Sequence, residues 1–195
     1  MRDVTVGFAI CGSYCTFEKT LAALETVCGA YRAVVPVMSE AAYSTDTRFG
    51  KAAAFVEKVE ALCGSPVIHT ISGAEPFGPR ALLDILVIAP CTGNTLAKIA
   101  RGVTDSSVTM AAKAHLRNAR PALIAVSTND ALTGNAANIG ELLNRKNIFF
   151  VPFYQDDPQK KPASLAAELD LLPQAIDAAL DGRQLQPLLH GAGDL

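Results

Sequence analysis

The sequence predicts a single α/β domain, in which a parallel sheet of about six strands carries helices on both faces. Apolar runs rich in valine and isoleucine recur along the chain and mostly lack polar alternation, so they should be buried on both faces. Segments with helical spacing separate these runs, and such alternation is typical of a doubly wound, Rossmann-like sheet. A length of 195 residues is ample for one such core, so we expect one domain over residues 1–195.

The predicted strands follow the apolar runs in chain order. They cover residues 4–10, 33–38, 66–71, 85–89, 122–126 and 148–153. Between them, apolar residues three or four positions apart indicate helices, as in the series Phe17, Leu21, Leu24 and Val27. A last helix is predicted from about residue 164 to residue 180. Because crossover connections are right-handed, the loops after the strands should meet around one crevice.

Two segments lie outside this alternation. Residues 154–164 read YQDDPQKKPAS, a polar stretch with two prolines, which predicts either an exposed, flexible loop or a flap that closes over a ligand or partner. Residues 186–195 are predicted to be a tail.

Composition and charge argue against several classes of function. The chain has 17 basic and 19 acidic residues and no long basic run, so we expect no nucleic-acid partner. No window approaches the roughly 18 apolar residues of a membrane span, and the N-terminus lacks a cationic leader, so we expect a cytoplasmic protein without membrane contact. Five cysteines form no CxxC pair and no histidines stand at ligand spacing, so no metal site is predicted.

Small polar residues follow the first and fourth predicted strands. After the first, Gly12 allows close approach of the backbone and Ser13 offers a hydroxyl before a helix start, although such a turn alone is equally an ordinary helix cap. After the fourth, hydroxyls, an amide and free backbone N–H groups come together at Thr92, Gly93, Asn94 and Thr95. The first and fourth strands adjoin in a doubly wound sheet, so both loops should face one phosphate-binding pocket.

Two further residues are candidates for chemistry at the crevice. His69 ends the third predicted strand, where an imidazole could exchange protons near neutral pH, and we take it as a catalytic candidate; a packed or surface histidine is the alternative. Arg80, in the loop AEPFGPR, has the fork geometry that binds a carboxylate and is a candidate for substrate binding. An ion pair between Arg80 and Glu75 is the alternative.

The stretches ICGS and APCTGNTLAKIARG resemble the two flavin-phosphate loops of the homo-oligomeric flavin-containing cysteine decarboxylases. Pro90, Thr92, Asn94 and Thr95 match the usual Pro-Ala-Ser-Ala-Asn-Thr pattern of that family, whereas Cys91 and Gly93 depart from it. The resemblance implies a flavoprotein-like fold and an FMN site. The implied phosphate contacts come from Gly12, Ser13, Thr92, Gly93, Asn94 and Thr95. A homo-oligomer built from trimers is also implied.

A longer similarity runs from AEPFGPRALLDILVIAP to KNIFFVPFYQDDPQKKPASL and is shared with the B-subunit family of dipicolinate synthases. This resemblance implies a part in oxidising dihydrodipicolinate, a small dicarboxylate, to dipicolinate during sporulation, beside an A subunit that binds NAD(P). The decarboxylases carry a Met-Asn pair after the next strand, whose asparagine recognises the substrate carboxylate. Here that loop reads VSTND, so Asn129 is the catalytic and substrate-binding candidate; a turn or cap formed with Asp130 is the alternative.

Three functions stay open at this point. The first is a subunit of a two-component oxidoreductase, in which either FMN on this chain or NAD(P) on the partner accepts the hydride. The second is an FMN-dependent decarboxylase of a small carboxylic acid. The third is a non-catalytic scaffold subunit with an anion-binding pocket.

Overall fold

Five parallel strands form the centre of the structure, a computed structural model that describes residues 1–191. They are β1 (Arg2–Ile10), β2 (Tyr31–Met38), β3 (Ile85–Cys91), β4 (Ala122–Thr128) and β5 (Ile148–Phe150). The spatial order is β2-β1-β3-β4-β5, and each neighbouring pair is parallel. The predicted fold class, a doubly wound α/β sheet, is therefore confirmed.

Helices cover both faces of this sheet, as predicted. Within residues 1–191 they are α1 (Phe17–Ala30), α2 (Glu40–Ser44), α3 (Ala52–Cys63), α4 (Ile71–Ala74), α5 (Gly93–Arg101), α6 (Ser107–Leu116), α7 (Ala136–Leu143) and α8 (Leu172–Leu180). Alternate residues of β3 enter two separate cores. Leu86 and Ile88 pack in the core shared with α5, α6 and α7, whereas Ile85 and Val87 pack in the core shared with α1, α3 and α8.

The predicted third strand, at residues 66–71, is wrong as a strand. Only one parallel bridge forms there, between Ile68 and Val37, at the edge of the sheet beyond β2. The extended segment ends at Thr70. The Thr70 side chain accepts a hydrogen bond from the Gly73 N–H and thereby caps α4. The segment still occupies the edge position that a third strand has in this fold.

An antiparallel extension that the pattern did not predict adjoins the carboxyl end of β4. It consists of β6 (Phe153–Tyr154) and β7 (Leu165–Ala167), and β7 pairs with β4. The predicted last helix starts too early, since α8 begins only at Leu172, where Pro173 is tolerated because the first helical turn needs no N–H partner. Residues 155–164 connect β6 to β7, and the Ala163 carbonyl accepts the Leu132 N–H at 3.0 Å.

Part of the predicted tail is attached to the sheet. The Phe153 N–H donates to the Leu188 carbonyl at 3.0 Å, and the Phe153 carbonyl accepts the His190 N–H at 3.1 Å. The end of the predicted tail, residues 192–195, lies outside the described residues. Among the helices that the structure describes, none combines the length and apolar character needed to cross a membrane.

Candidate functional site

A crevice opens at the carboxyl ends of β1, β3 and β4, where the strand order reverses. Its volume is about 750 Å³, which lies within the range of about 300–1,000 Å³ typical of small-molecule and cofactor sites. The lining residues are Gly12, Ser13, Tyr14, Cys15, Arg48, Phe49, Thr92, Gly93, Asn94, Ser127, Thr128, Asn129, Asp130 and Lys161. Both polar loops singled out in the sequence therefore border one cavity.

The loop after β1 is held to the neighbouring strands by hydrogen bonds. The Cys11 N–H donates to the Pro90 carbonyl at 3.2 Å, and the hydroxyls of Ser13 and Ser127 share a hydrogen bond of 2.9 Å. A short 3₁₀ turn at Tyr14–Thr16 then leads into α1. The hydroxyl of Ser13 is thus fixed at the floor of the crevice, between β1 and β4.

The loop after β3 is built around a helix cap. Thr92 is the N-cap of α5, and its hydroxyl oxygen accepts the Thr95 N–H at 3.4 Å. The first N–H groups of a helix have no intrahelical acceptor, so those of Gly93 and Asn94 are left for a ligand. Thr95 is 6% exposed and does not line the crevice. Of the six predicted phosphate contacts, the structure brings five to the cavity and places Thr95 behind its partner Thr92.

A partly buried polar network lies directly against Gly93. Asp130 accepts hydrogen bonds from the Thr128 hydroxyl at 2.6 Å and from the Asn135 amide at 2.9 Å. A Cβ atom at Gly93 would lie 2.5 to 2.7 Å from polar atoms of these three side chains. Only glycine fits there without displacing the network, and the sequence pattern gave no sign of this network beyond a turn at Asp130.

Two cationic side chains that the sequence pattern did not reveal also border the crevice. Arg48 comes from the loop between α2 and α3, and Lys161 from the β6–β7 connection. The Lys161 ammonium lies 2.9 Å from an Asp156 oxygen, a contact that raises the pKa of Lys161. Burial alone would raise the pKa of Asp156, but hydrogen bonds from Ser164 and Lys161 outweigh it, so this pKa is lowered. The polar character of residues 154–164 was the available signal for Lys161.

His69 lies away from the crevice. Its ring stacks on Tyr43 with centroids 3.7 Å apart, and it follows the Ile68 bridge at the edge of the sheet. Neighbouring strands are roughly 4.8 Å apart, so this edge is roughly 14 Å from β3. The structure therefore does not bring His69 to the phosphate-type loops of the same chain.

Arg80 and Asn129 have contrasting positions. Arg80 is exposed in the loop that precedes β3, where the neighbouring Ala81 carbonyl accepts a hydrogen bond from Arg120, just before β4. This is the amino-terminal edge of the sheet, opposite the crevice. No ion pair joins Arg80 to Glu75 in the described part of the chain. Asn129, in contrast, is exposed and lines the crevice directly after β4.

Buried cysteines lie beneath the two loops. Cys11 and Cys91 are 1% and 0% exposed, and a hydrogen bond with Cys91 is the main cause that lowers the pKa of Cys11. Cys15, in contrast, is exposed at the crevice. Within residues 1–191, no group of three or more His, Cys, Asp or Glu side chains is arranged to hold a metal ion.

Comparison with known proteins agrees with the fold. Residues 1–168 match the Flavoprotein family. The chain is 50% identical over 189 residues to the B subunit of dipicolinate synthase from Bacillus subtilis (strain 168), a match that covers 97% of this chain and 94% of that protein. A crystal structure of the dipicolinate synthase B subunit from Bacillus halodurans superposes with a TM-score of 0.88 at 44% identity, covering 96% of both chains. The FMN-dependent cysteine decarboxylase SpaF superposes with a TM-score of 0.62 at 23% identity, covering 91% of this chain and 95% of that one, which shows a shared fold.

Proposed function

The chain belongs to the Flavoprotein family, within the group of dipicolinate synthase B subunits, and from that premise we propose that it is the FMN-binding subunit of such an enzyme. In this proposal it acts with an A subunit that carries NAD(P), and together they oxidise dihydrodipicolinate to dipicolinate during sporulation. FMN, when bound, supplies a two-electron acceptor for the ring that becomes aromatic.

The observation that carries the proposal is the convergence of two phosphate-type loops on one crevice. The hydroxyl of Ser13, the amide of Asn94 and the free N–H groups at the start of α5 all border it. A phosphate suits these donors, because the N-terminus of a helix favours anions and the N–H groups lack other acceptors. The close packing of Gly93 against Asp130 supports the same interpretation, since it brings backbone rather than a side chain to the cavity wall.

The remaining volume of the crevice is available for a ring system and a substrate. The side chains of Tyr14 and Phe49 border it, and the Phe49 ring is 54% exposed. Asn129 offers amide donors for a substrate carboxylate. We assign no step to His69 or Arg80 within one chain, because neither lines the crevice; their catalytic and substrate-binding roles stay predictions from the sequence.

We also propose that the chain forms a trimer-based homo-oligomer, as the resemblance to the cysteine decarboxylases implies. Sedimentation velocity of the purified chain tests this assembly directly.

The visible absorption spectrum of the purified chain tests the main proposal. FMN is added in excess, unbound flavin is removed on a desalting column, and the retained flavin is quantified per chain. Retained flavin supports the role of redox subunit. If none is retained, alone or with the A subunit, the flavin proposal fails and the scaffold function gains support. Full-rate dipicolinate formation by the A subunit alone would overturn the role of this chain in the reaction.

A second candidate function is decarboxylation of a small carboxylic acid, favoured by the position of Asn129 in the crevice. The methionine that precedes this asparagine in the decarboxylases is Thr128 here, which hydrogen-bonds Asp130 instead. Release of carbon dioxide from candidate acids by the FMN-loaded chain separates this function from oxidation.

A further inference from the structure

Arg48 lies at the tip of a turn that several hydrogen bonds stabilise. The Thr47 and Gly50 backbones exchange two hydrogen bonds, at 3.0 and 3.1 Å. The Thr47 hydroxyl oxygen accepts the Phe49 N–H at 3.2 Å, and an Asp46 carboxylate oxygen accepts the Ala52 N–H at 2.9 Å. These bonds fix the backbone that presents Arg48 and Phe49 to the crevice.

Within the part of the chain that the structure describes, no carboxylate neutralises the charge of Arg48. Its guanidinium carbon lies 4.9 Å from the centroid of the Phe49 ring, and within residues 1–191 Arg48 takes part in no ion pair. Stacking on an aromatic ring leaves the N–H edge of a guanidinium open to a bidentate acceptor. The guanidinium of Arg48 is thus available to an anion in the crevice.

Lys161 borders the crevice from the other side. Its loop joins β6 to β7, beyond β4, whereas the loop of Arg48 follows β2 and α2. Asp156 holds the ammonium at 2.9 Å and occupies one of its three donors. Lys161 also lines a smaller cavity of about 230 Å³ next to the crevice, which shares Cys15 and Ser127 with it.

We propose that Arg48 and Lys161 each bind one carboxylate of a dicarboxylate substrate, from opposite sides of the crevice. The nature of the substrate rests on the proposed function. A flat ring with two carboxylates would lie between the two cations, with the exposed Phe49 ring beside it.

The charges of the crevice favour this assignment. The donors of the phosphate-type loops are neutral. The positive charge of the lining therefore comes from Arg48 and Lys161. The carboxylate in the lining, Asp130, is already bonded through both oxygens to Thr128 and Asn135. Two charge-assisted contacts on separate loops discriminate a dicarboxylate from a monocarboxylate, since the latter leaves one cation unpaired.

Calorimetric titration of the full chain with dipicolinate and with picolinate, which has a single carboxylate, tests the inference. Each chain is titrated with and without FMN. Arg48→Gln and Lys161→Gln should each weaken dipicolinate binding about tenfold or more, to the affinity that the wild type has for picolinate. Arg183→Gln and Lys160→Gln are the matched controls, since neither residue lines the crevice, and both should bind dipicolinate like the wild type.

The outcomes separate this inference from the flavin proposal. If the chain retains no FMN but binds dipicolinate, and Arg48→Gln and Lys161→Gln each weaken that binding, the carboxylate assignment is supported while the flavin proposal fails. FMN retention with dipicolinate binding that is absent, or unchanged in Arg48→Gln and Lys161→Gln, overturns the assignment. A loss of FMN retention in these two variants would instead place the cations at the flavin phosphate and also overturn it.

Discussion

The hydroxyl groups of Ser13 and Ser127 share a hydrogen bond of 2.9 Å, although 114 positions separate them in the chain. The bond joins the loop after β1 to the end of β4, and the loop after β3 lies between them in the sheet order. This hydrogen bond therefore couples loops at the floor of the crevice. A substitution in one loop should change how much the other loops contribute to the free energy of unfolding.

A double-mutant cycle of Ser13→Ala and Ser127→Ala should show this connection. Each single variant should lose about 0.5–1.5 kcal/mol of unfolding free energy, and the double variant less than the sum, because the first change already removes the bond. Urea denaturation measures all four proteins. Additive losses would mean that the two hydroxyls act independently.

Asn94→Ala should weaken the binding of FMN by about 1–3 kcal/mol, because one donor to the phosphate is lost. Riboflavin, which lacks the phosphate, is the control ligand, and its affinity should not change. Fluorescence quenching of each flavin measures both affinities. An equal loss for both ligands would place Asn94 at the ring instead, and no loss for either would move the phosphate elsewhere.

Gly93→Ala should destabilise the chain by about 1–3 kcal/mol, because the new methyl group must displace the hydrogen-bonded side chains of Thr128, Asp130 and Asn135. Gly140 is the matched control, since it lies in α7 and a Cβ there meets nothing within 4 Å. Gly140→Ala should stabilise the chain by about 0.5–1 kcal/mol through helix propensity. Thermal unfolding compares the two variants; a neutral Gly93→Ala would show that the network yields easily.

The parts of the fold that the sequence predicted correctly are those decided by continuous burial. Apolar runs that are largely buried on both faces form β1, β2, β3 and β4. Such runs can be recognised in the sequence as continuous stretches of apolar residues. The segment at residues 66–71 looked similar but forms one bridge, because the Thr70 cap starts a helix before pairing can extend. β7 was missed because its three residues carry no periodic signal and depend on pairing with β4.

The residues of the candidate site likewise include some that the sequence predicted and some that it did not. Glycine and hydroxyl residues directly after strands were visible because the topology fixes where such loops meet. Arg48 and Lys161 come from loops whose path depends on local turns, so the strand pattern could not place them. Arg80 illustrates the converse, since its chemistry was suitable but its loop leads to the amino-terminal edge of β3.

The stability of the chain should fall as the pH drops below about 6.5, the ordinary pKa of histidine, because His115 is buried. Burial is the main cause that lowers the pKa of His115, and Arg120 lowers it further, against the opposing effects of the Pro121 carbonyl and Asp84. The unfolded chain therefore binds the proton at a higher pH than the folded chain, so this part of the stability is present above the unfolded pKa and is lost below it. Each pH unit within the window removes up to about 1.4 kcal/mol.

His115→Gln should flatten this pH dependence, because glutamine keeps a donor for the Pro121 carbonyl, which the His115 Nε2 contacts at 2.9 Å, but does not titrate. The measurement is the urea midpoint as a function of pH for both proteins. Equal slopes in the wild type and the variant would assign the acid sensitivity to other groups.

Oxidised glutathione should form a disulfide between Cys28 and Cys63, whose sulfur atoms lie 4.0 Å apart on α1 and α3. The hydrogen bond from Cys63 lowers the pKa of Cys28, which makes Cys28 the attacking thiolate. Its attack releases one glutathione thiolate and leaves a mixed disulfide. Attack by Cys63 on that bond then releases the second glutathione, so the oxidant accepts the two electrons.

A Cys15→Ser background removes the exposed thiol, which would otherwise form its own adduct with glutathione. In that background, mass spectrometry should detect a chain that has lost two free thiols and carries no glutathione. Adding Cys63→Ser should stop the reaction at the mixed disulfide on Cys28, because the resolving thiol is gone. If the background chain instead accumulates a stable glutathione adduct on Cys28, α1 and α3 hold the two sulfur atoms too rigidly for them to bond.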